Sequence, residues 1–169
     1  MKTFMFLMLA VLTTTAHAQT KDYSKDVGSV DAIIAALYDV ITTEPKGTPD
    51  WDRFKYLFAT DARLVPTRKT PQGDLITAPM TPDRYIEGFQ ARLNTGFFER
   101  ELHRVTETFG TLTHAFSTYE TRNTKESPVI ARGINSIQIF YDGKRYFIVN
   151  IFWCAESMGF QLPEKYLGK

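Results

Sequence analysis

Apolar residues between positions 29 and 93 recur every three or four residues, which is the spacing of helices that bury one face. Three segments open with a helix-start signal: Ser29, Thr48-Pro49-Asp50 and Thr81-Pro82-Asp83. Their apolar faces comprise Val30, Ile33, Ile34, Leu37 and Ile41; Trp51, Phe54, Leu57 and Phe58; and Tyr85, Ile86, Phe89 and Leu93. The pattern predicts three amphipathic helices, the second of them capped by Thr48.

Beyond Gly96 the pattern changes to alternation of β-branched and aromatic residues with polar ones, which is typical of strands. The predicted strands are residues 98–109, 112–122, 132–141 and 145–155, with turns at Gly110 and Asp142-Gly143. Earlier, residues 62–68 predict a short strand interrupted by Pro66, and residues 69–80 a loop or a short hairpin arm. The order predicts an α+β fold, with three N-terminal helices packed on one face of a strongly curved antiparallel sheet.

The N-terminal segment has the layout of a secretory signal peptide. Lys2 gives a positive start, residues 4–12 (FMFLMLAVL) are apolar, and Ala16-His17-Ala18 is an A-x-A site. We expect cleavage after Ala18 and an exported protein, periplasmic or secreted. The predicted organisation is a signal peptide over 1–18, a flexible arm over 19–28, one domain over 29–157 and a C-terminal tail over 158–169.

Composition and charge narrow the choice of function. Lys plus Arg total 20 and Asp plus Glu total 19, and loss of Lys2 with the signal peptide would leave 19 of each. This balance argues against a nucleic-acid partner. The single cysteine, Cys154, excludes a disulfide within the chain and is interpreted as a packing residue. The sequence contains no phosphate-binding glycine loop and no G-x-S-x-G motif, and no cofactor is expected.

Three stretches carry a resemblance to a known family: LFATDARLV (57–65), HRVTETFGTLTHAFSTYE (103–120) and YDGKRYFIVNIFW (141–153). With the order of elements over residues 29–156, they resemble the nuclear transport factor 2-like superfamily, including its SnoaL-like and ketosteroid isomerase branches. The resemblance implies a cone, in which a bent sheet wraps around helices and leaves a pocket at its open end. Members include isomerases, cyclases, dehydratases, dioxygenase subunits and binding domains, so the fold alone does not assign a function.

The isomerase branch can be tested on two positions. Its general base is an aspartate at the end of the first strand, where this chain has Pro66 followed by Thr67. Its second aspartate, an oxyanion donor, lies on the penultimate strand, where the nearest residues are Ser136 and Ile137. Since both acids are missing, we do not expect isomerase chemistry of that kind.

Alternation along the strands sorts their residues into two faces. One face is mainly apolar with a few polar members, as a ligand cavity requires. That predicted inner face comprises Glu101, His103, Val105, Ala115, Ser117, Tyr119, Asn135, Ile137, Ile139, Phe147, Val149, Ile151 and Trp153. The other face, which includes His114, suits an outer surface that pairs with a second subunit. A β-bulge would exchange these assignments beyond it.

The candidate ligand-binding residues are Tyr85, Phe89, Glu101, His103, Tyr119, Asn135 and Trp153. Glu101 and His103 stand two apart on one strand and allow three interpretations: a surface ion pair, a general acid–base pair, or the start of a metal site that lacks a third ligand. We expect no metal. Asn135 is the clearest pocket marker, because a buried amide must be hydrogen-bonded to the protein or to a ligand. Tyr85 and Phe89 either cover the pocket mouth or pack as ordinary core.

Three functions remain open at this stage. The favoured one is exported, non-catalytic binding of a small, partly apolar molecule. The second is a SnoaL-like isomerase, cyclase or dehydratase that uses Glu101 with His103. The third is a structural or interaction module that dimerises through the outer sheet face, and a homodimer is expected in any case.

Overall fold

The computed structural model describes residues 21–168, so the predicted signal peptide lies outside the described residues. The three predicted helices are present as α1 (Val30–Ile41), α2 (Trp51–Tyr56) and α3 (Pro82–Phe89). Four short 3-10 helices also occur, over Ser24–Val27, Gln90–Arg92, Glu156–Met158 and Glu164–Tyr166. None of the helices within residues 21–168 is long and apolar enough to cross a membrane.

The helix starts follow the predicted signals at two of three sites. Ser29 caps α1 by accepting a hydrogen bond from the backbone N–H of Ala32, and Thr81 caps α3 in the same way. The second prediction is wrong, because α2 is capped by the carboxylate of Asp50 and not by Thr48. Asp50 directly precedes the helix and is as strong a cap as a threonine.

Six strands form the sheet: β1 (Phe58–Lys69), β2 (Leu75–Thr77), β3 (Phe98–Phe109), β4 (Leu112–Arg122), β5 (Ala131–Tyr141) and β6 (Tyr146–Ala155). Their spatial order is β2-β1-β6-β5-β4-β3. Strand pairs are antiparallel except β1 and β6, which run parallel. The predicted antiparallel pairing holds for four of the five strand pairs. The fifth is parallel because the chain leaves β1, passes through α3 and the other strands, and returns to β1 as β6.

Inserted residues in β3 and β6 form β-bulges that change the direction of side chains. Leu102 is an extra residue in β3, since Glu101 pairs with Tyr119 and His103 pairs with the next residue of β4. Val149 is an extra residue in β6, opposite the step between Gln138 and Ile139. Each bulge moves the residues on one side of it to the opposite face of the sheet.

The bulge at Val149 overturns two predicted inner residues. Ile148 is fully buried, whereas Val149 is 39% exposed and Phe147 pairs with the exposed Phe140 on the outer face. Val105, beyond the bulge in β3, is likewise exposed. The predicted inner residues Ala115, Ser117, Tyr119, Asn135, Ile137, Ile139 and Ile151 are all buried.

Both ends of the described chain pack on the domain. Residues 19–28 are predicted as a flexible arm, but Val27 is buried in the core and Asp26 forms an ion pair with Arg53. At the other end, the segment 159–168, called the tail below, lies on the outer face. The Tyr166 ring packs on Phe116 with centroids 5.0 Å apart, and Thr118 Oγ1 donates a hydrogen bond to the Tyr166 carbonyl at 2.6 Å.

Candidate functional site

A cavity of about 210 Å³ lies between the helices and the inner face of the sheet. An apolar cavity of about 150 Å³ can hold benzene, so this one has room for a ligand of about one ring with a substituent. The apolar part of its wall consists of Leu37, Ile41, Phe54, Leu64, Phe97, Ile130, Ala131, Ile151, Trp153 and Ala155. The polar part consists of Tyr85, Arg92, Glu99, Tyr119, Thr121 and Asn135. A mostly apolar wall with a few polar groups is the usual composition of a small-ligand pocket.

Glu99, near the start of β3, is the only acidic residue in the wall. Its Oε2 accepts a hydrogen bond from Thr121 Oγ1 at 2.9 Å, and within the described residues it forms no ion pair. Burial raises the pKa of Glu99 to about 7, although the hydroxyl of Thr121, the charge of Arg92 and the amide of Asn135 act to lower it. The carboxyl group therefore exchanges between its neutral and charged forms around neutral pH.

A chain of hydrogen bonds runs from the cavity into the core. Ser117 Oγ donates to Glu101 Oε1 at 2.5 Å, so the Tyr38 hydroxyl, 2.7 Å from Ser117, is the donor in their contact. Asn135 Nδ2 in turn donates to the Tyr38 hydroxyl at 3.0 Å. Every member from Asn135 to Glu101 thus has its partner, and the amide at the cavity wall is held in a fixed orientation.

Glu101 belongs to this structural network and not to the cavity wall. Arg104 Nε lies 3.6 Å from Glu101 Oε1, and Arg104 Nη2 donates to Asp31 Oδ1 of α1 at 2.6 Å. The charge of Glu101 is therefore balanced by an arginine that ties β3 to the first helix turn. Such an arrangement is typical of a structural ion pair, since the carboxylate already has its counter-charge.

The predicted Glu101–His103 pair does not form. The bulge at Leu102 turns His103 to the outer face. There the His103 ring lies beside Gly168 of the tail, so close that a Cβ on this glycine would be 3.3 Å from His103 Nδ1. Sequence alternation assumes two residues per repeat, and one inserted residue reverses it. The interpretations of Glu101 and His103 as an acid–base pair or as the start of a metal site both assumed that alternation. No group of three or more metal-binding side chains occurs within residues 21–168.

The other candidate residues divide between cavity and core. Tyr85, Tyr119, Asn135 and Trp153 line the cavity. Phe89 is 2% exposed and packs against Phe97 in the core, so it contributes to the helix–sheet contact and not to the wall.

Three polar residues of the wall were not among the predicted ligand-binding residues: Arg92, Glu99 and Thr121. The alternation along the strands could have predicted two of them. Glu99 stands two residues before Glu101, and Thr121 stands two residues after Tyr119, so both continue the inner face toward the strand ends. Arg92 follows α3 in a 3-10 turn, for which the sequence has no clear signal.

No protein-family model matches the sequence, and neither does any curated protein. Solved structures do match in fold. A protein of unknown function with a cystatin-like fold from Nostoc punctiforme has a TM-score of 0.57 at 13% identity, over 75% of this chain and 87% of that one. The β subunit of a putative aromatic-ring-hydroxylating dioxygenase from Novosphingobium aromaticivorans has a TM-score of 0.53 at 15% identity, over 75% and 86%.

A putative calcium/calmodulin-dependent protein kinase II association domain from Xanthomonas campestris also matches, with a TM-score of 0.53 at 12% identity, over 86% of this chain and 96% of that one. At these identities the comparisons concern the fold alone. They agree with the mixed α+β fold and its curved, unclosed six-stranded sheet. The chain therefore has the cone fold of the nuclear transport factor 2-like superfamily.

Proposed function

We propose that this protein binds a small, partly apolar molecule in the cavity, without catalysis. The observation that carries the proposal is Glu99, a carboxyl group without an ion pair in the described residues, in a wall that is otherwise mostly apolar and aromatic. Glu99 is half-buried, and desolvating a carboxyl group that forms no ion pair costs stability, so the group suggests a role other than folding. Asn135 adds a polar group whose orientation the protein fixes in advance, which favours binding because little order is lost.

Native mass spectrometry of the protein purified from its own source tests the proposal. We expect a retained molecule of fewer than about fifteen heavy atoms, given the cavity volume. The variant Ala131→Phe fills the wall at the start of β5 and should lose that molecule. The matched control is Gln138→Phe, which adds the same ring to the exposed outer face of the same strand. Equal retention by both variants would contradict binding in the cavity.

Acid–base catalysis by Glu99 is a second candidate. A general acid or base is most efficient when its pKa lies near the working pH, and the pKa of Glu99 is raised to about 7. This candidate replaces the Glu101–His103 pair, whose members face opposite sides of the sheet. It predicts that a compound bound in the cavity is converted by the wild-type protein and is bound but left unchanged by Glu99→Gln. A bound compound that both proteins leave unchanged supports the non-catalytic function.

The outer face of the sheet supports the expected homodimer. Phe140, Val149 and Phe152 are each about 40% exposed on it, and apolar surface of this kind favours a partner. Sedimentation velocity should give a dimer for the wild type and a monomer for Val149→Lys. A wild-type monomer at concentrations of about 0.1 mM would contradict the dimer.

Export remains part of the proposal and rests on the sequence of residues 1–18 alone. Mass spectrometry of the mature protein should find Gln19 at the N-terminus. A mature chain that retains the apolar segment would contradict export by this route.

A further inference from the structure

We infer that the cavity takes a small organic ammonium ion, with its charge against the carboxylate of Glu99 and its apolar body among the aromatic side chains. The inference rests on the proposed function and names its ligand class. Three properties of the cavity carry it: its aromatic rings, a carboxyl group without an ion pair in the described residues, and the exposure to water of Arg92, the cation in its wall.

Five of the sixteen residues in the wall are aromatic: Phe54, Tyr85, Phe97, Tyr119 and Trp153. The face of an aromatic ring is electronegative and attracts an organic cation within about 6 Å of its centre. A wall with one carboxyl group and several rings is therefore suited to an ammonium ion carried on an apolar body. An aliphatic wall of the same size would favour only the apolar body.

Glu99 is half-buried and forms no ion pair within residues 21–168, although Arg92 lines the same cavity and Arg100, Arg122 and Lys125 line a neighbouring hollow with it. Desolvation raises its pKa, and the hydroxyl of Thr121, the charge of Arg92 and the amide of Asn135 offset this only in part. Glu101 on the same strand differs in having a counter-charge, because Arg104 lies beside it. A ligand ammonium would supply to Glu99 the charge that Arg104 supplies to Glu101, and would donate hydrogen bonds to the carboxylate.

Arg92 lines the cavity and is exposed to water. Its guanidinium packs over the Phe97 ring, 4.8 Å from the centroid, and forms no ion pair with Glu99. Water and salt screen an exposed charge of this kind, so it weakens the attraction of a cation only slightly. An anionic ligand would instead pair with Arg92 and prefer the neutral form of Glu99, which gives it the opposite dependence on pH.

Only Glu99 among these groups titrates near neutral pH. The tyrosines that face it, Tyr38 from α1, Tyr85 from α3 and Tyr119 from β4, have pKa values raised by burial and by the charge of Glu99. The three tyrosines therefore stay neutral around pH 7. The affinity for an ammonium ion should follow the ionised fraction of Glu99.

Isothermal titration calorimetry with benzylamine, benzyl alcohol and benzoate tests the inference with three compounds of nearly equal shape. Benzylamine should bind about tenfold more tightly at pH 8 than at pH 6, because the ionised fraction of a group with a pKa of about 7 changes by that factor. At pH 8 it should also bind more tightly than benzyl alcohol and benzoate.

The variant Glu99→Gln should weaken benzylamine binding at pH 8 at least tenfold, remove its pH dependence and change benzyl alcohol binding less than threefold. The control Glu107→Gln removes the same charge from the exposed end of β3 and should leave all three affinities unchanged. Tighter binding of benzoate, or equal binding of all three compounds, would overturn the ammonium ligand and leave the proposed function intact. Failure of all three to bind the wild type would overturn both.

Discussion

Ser117 and Ser136 have the same hydroxyl group on adjacent strands but lie on opposite faces of the sheet. Ser117 is fully buried and links Tyr38 to Glu101. Ser136 is half-buried on the outer face and contacts His114 Nε2 at 2.8 Å. The outer serine can exchange its partner for water, whereas the inner one cannot. Two serines with the same hydroxyl group therefore differ in their importance for stability, because the surroundings of Ser117 are closed to solvent and those of Ser136 are not.

The largest effect on stability is expected for the variant that removes the inner hydroxyl. Ser117→Ala leaves the buried Tyr38 hydroxyl without an acceptor for its proton and removes a hydrogen bond from the Glu101 carboxylate, and should lower the free energy of unfolding by about 2–3 kcal/mol. Ser136→Ala should lower it by less than about 1 kcal/mol, since water replaces the lost bond. Urea unfolding of the two variants measures the difference, and equal losses would refute the distinction between the faces.

A second prediction concerns the close approach of backbone and cavity wall at Gly133. A Cβ there would lie 2.4 Å from the Cys154 carbonyl oxygen and 2.7 Å from the Tyr119 hydroxyl. Gly133→Ala should therefore cost about 1–3 kcal/mol, because β5 or its neighbours must move. Gly88 is a matched control in α3, with nothing within 4 Å, and Gly88→Ala should be neutral or stabilising. Equal decreases in the thermal unfolding temperature of the two variants would show that the space at Gly133 does not limit the size of its side chain.

A third prediction uses the sign of the Glu99 titration. Because its pKa is raised in the folded protein, the stabilising effect of the bound proton is complete below the unfolded pKa of about 4.3 and is lost as the pH rises through about 7. Stability of the wild type should accordingly contain a component that falls between pH 5 and pH 8. Glu99→Gln should remove it and raise stability at pH 8 by roughly 1–2 kcal/mol.

Guanidinium unfolding at pH 5 and pH 8 checks the third prediction, with Glu107→Gln as the control on the exposed end of the same strand. The control should retain the wild-type difference between the two pH values. If Glu99→Gln retains it as well, the carboxyl group of Glu99 is not the source of the pH dependence.

Most of the fold follows from the sequence because it depends on local rules. The alternation and the glycine turns predicted the bounds of β3 to β6 to within one residue, and Ser29 and Thr81 predicted two helix starts. The site depends on longer-range geometry. One inserted residue, Leu102, places Glu101 and His103 on opposite faces of the sheet, and no local sequence pattern predicts such a bulge. Asn135 was identified because it lies on β5, whose alternation no inserted residue interrupts.

The smallest expected effect lies on the outer face, where the tail packs. Tyr166→Ala removes the edge-to-face contact with Phe116 and should cost about 0.5–1.5 kcal/mol, without altering ligand binding in the cavity. Hydrogen exchange of the tail, measured alongside benzylamine affinity, checks both parts. A large change in affinity would contradict the independence of the two faces.

The most direct test of the account is the pKa of Glu99 itself, measured by carbon-13 NMR of the side-chain carboxyl group in the unliganded protein. We predict a midpoint near pH 7 for Glu99, because desolvation of its carboxyl group outweighs the lowering effects of Thr121, Arg92 and Asn135. A Glu99 midpoint near 4.3, the ordinary value for a glutamate, would contradict the desolvated, unpaired carboxyl on which the proposed site depends.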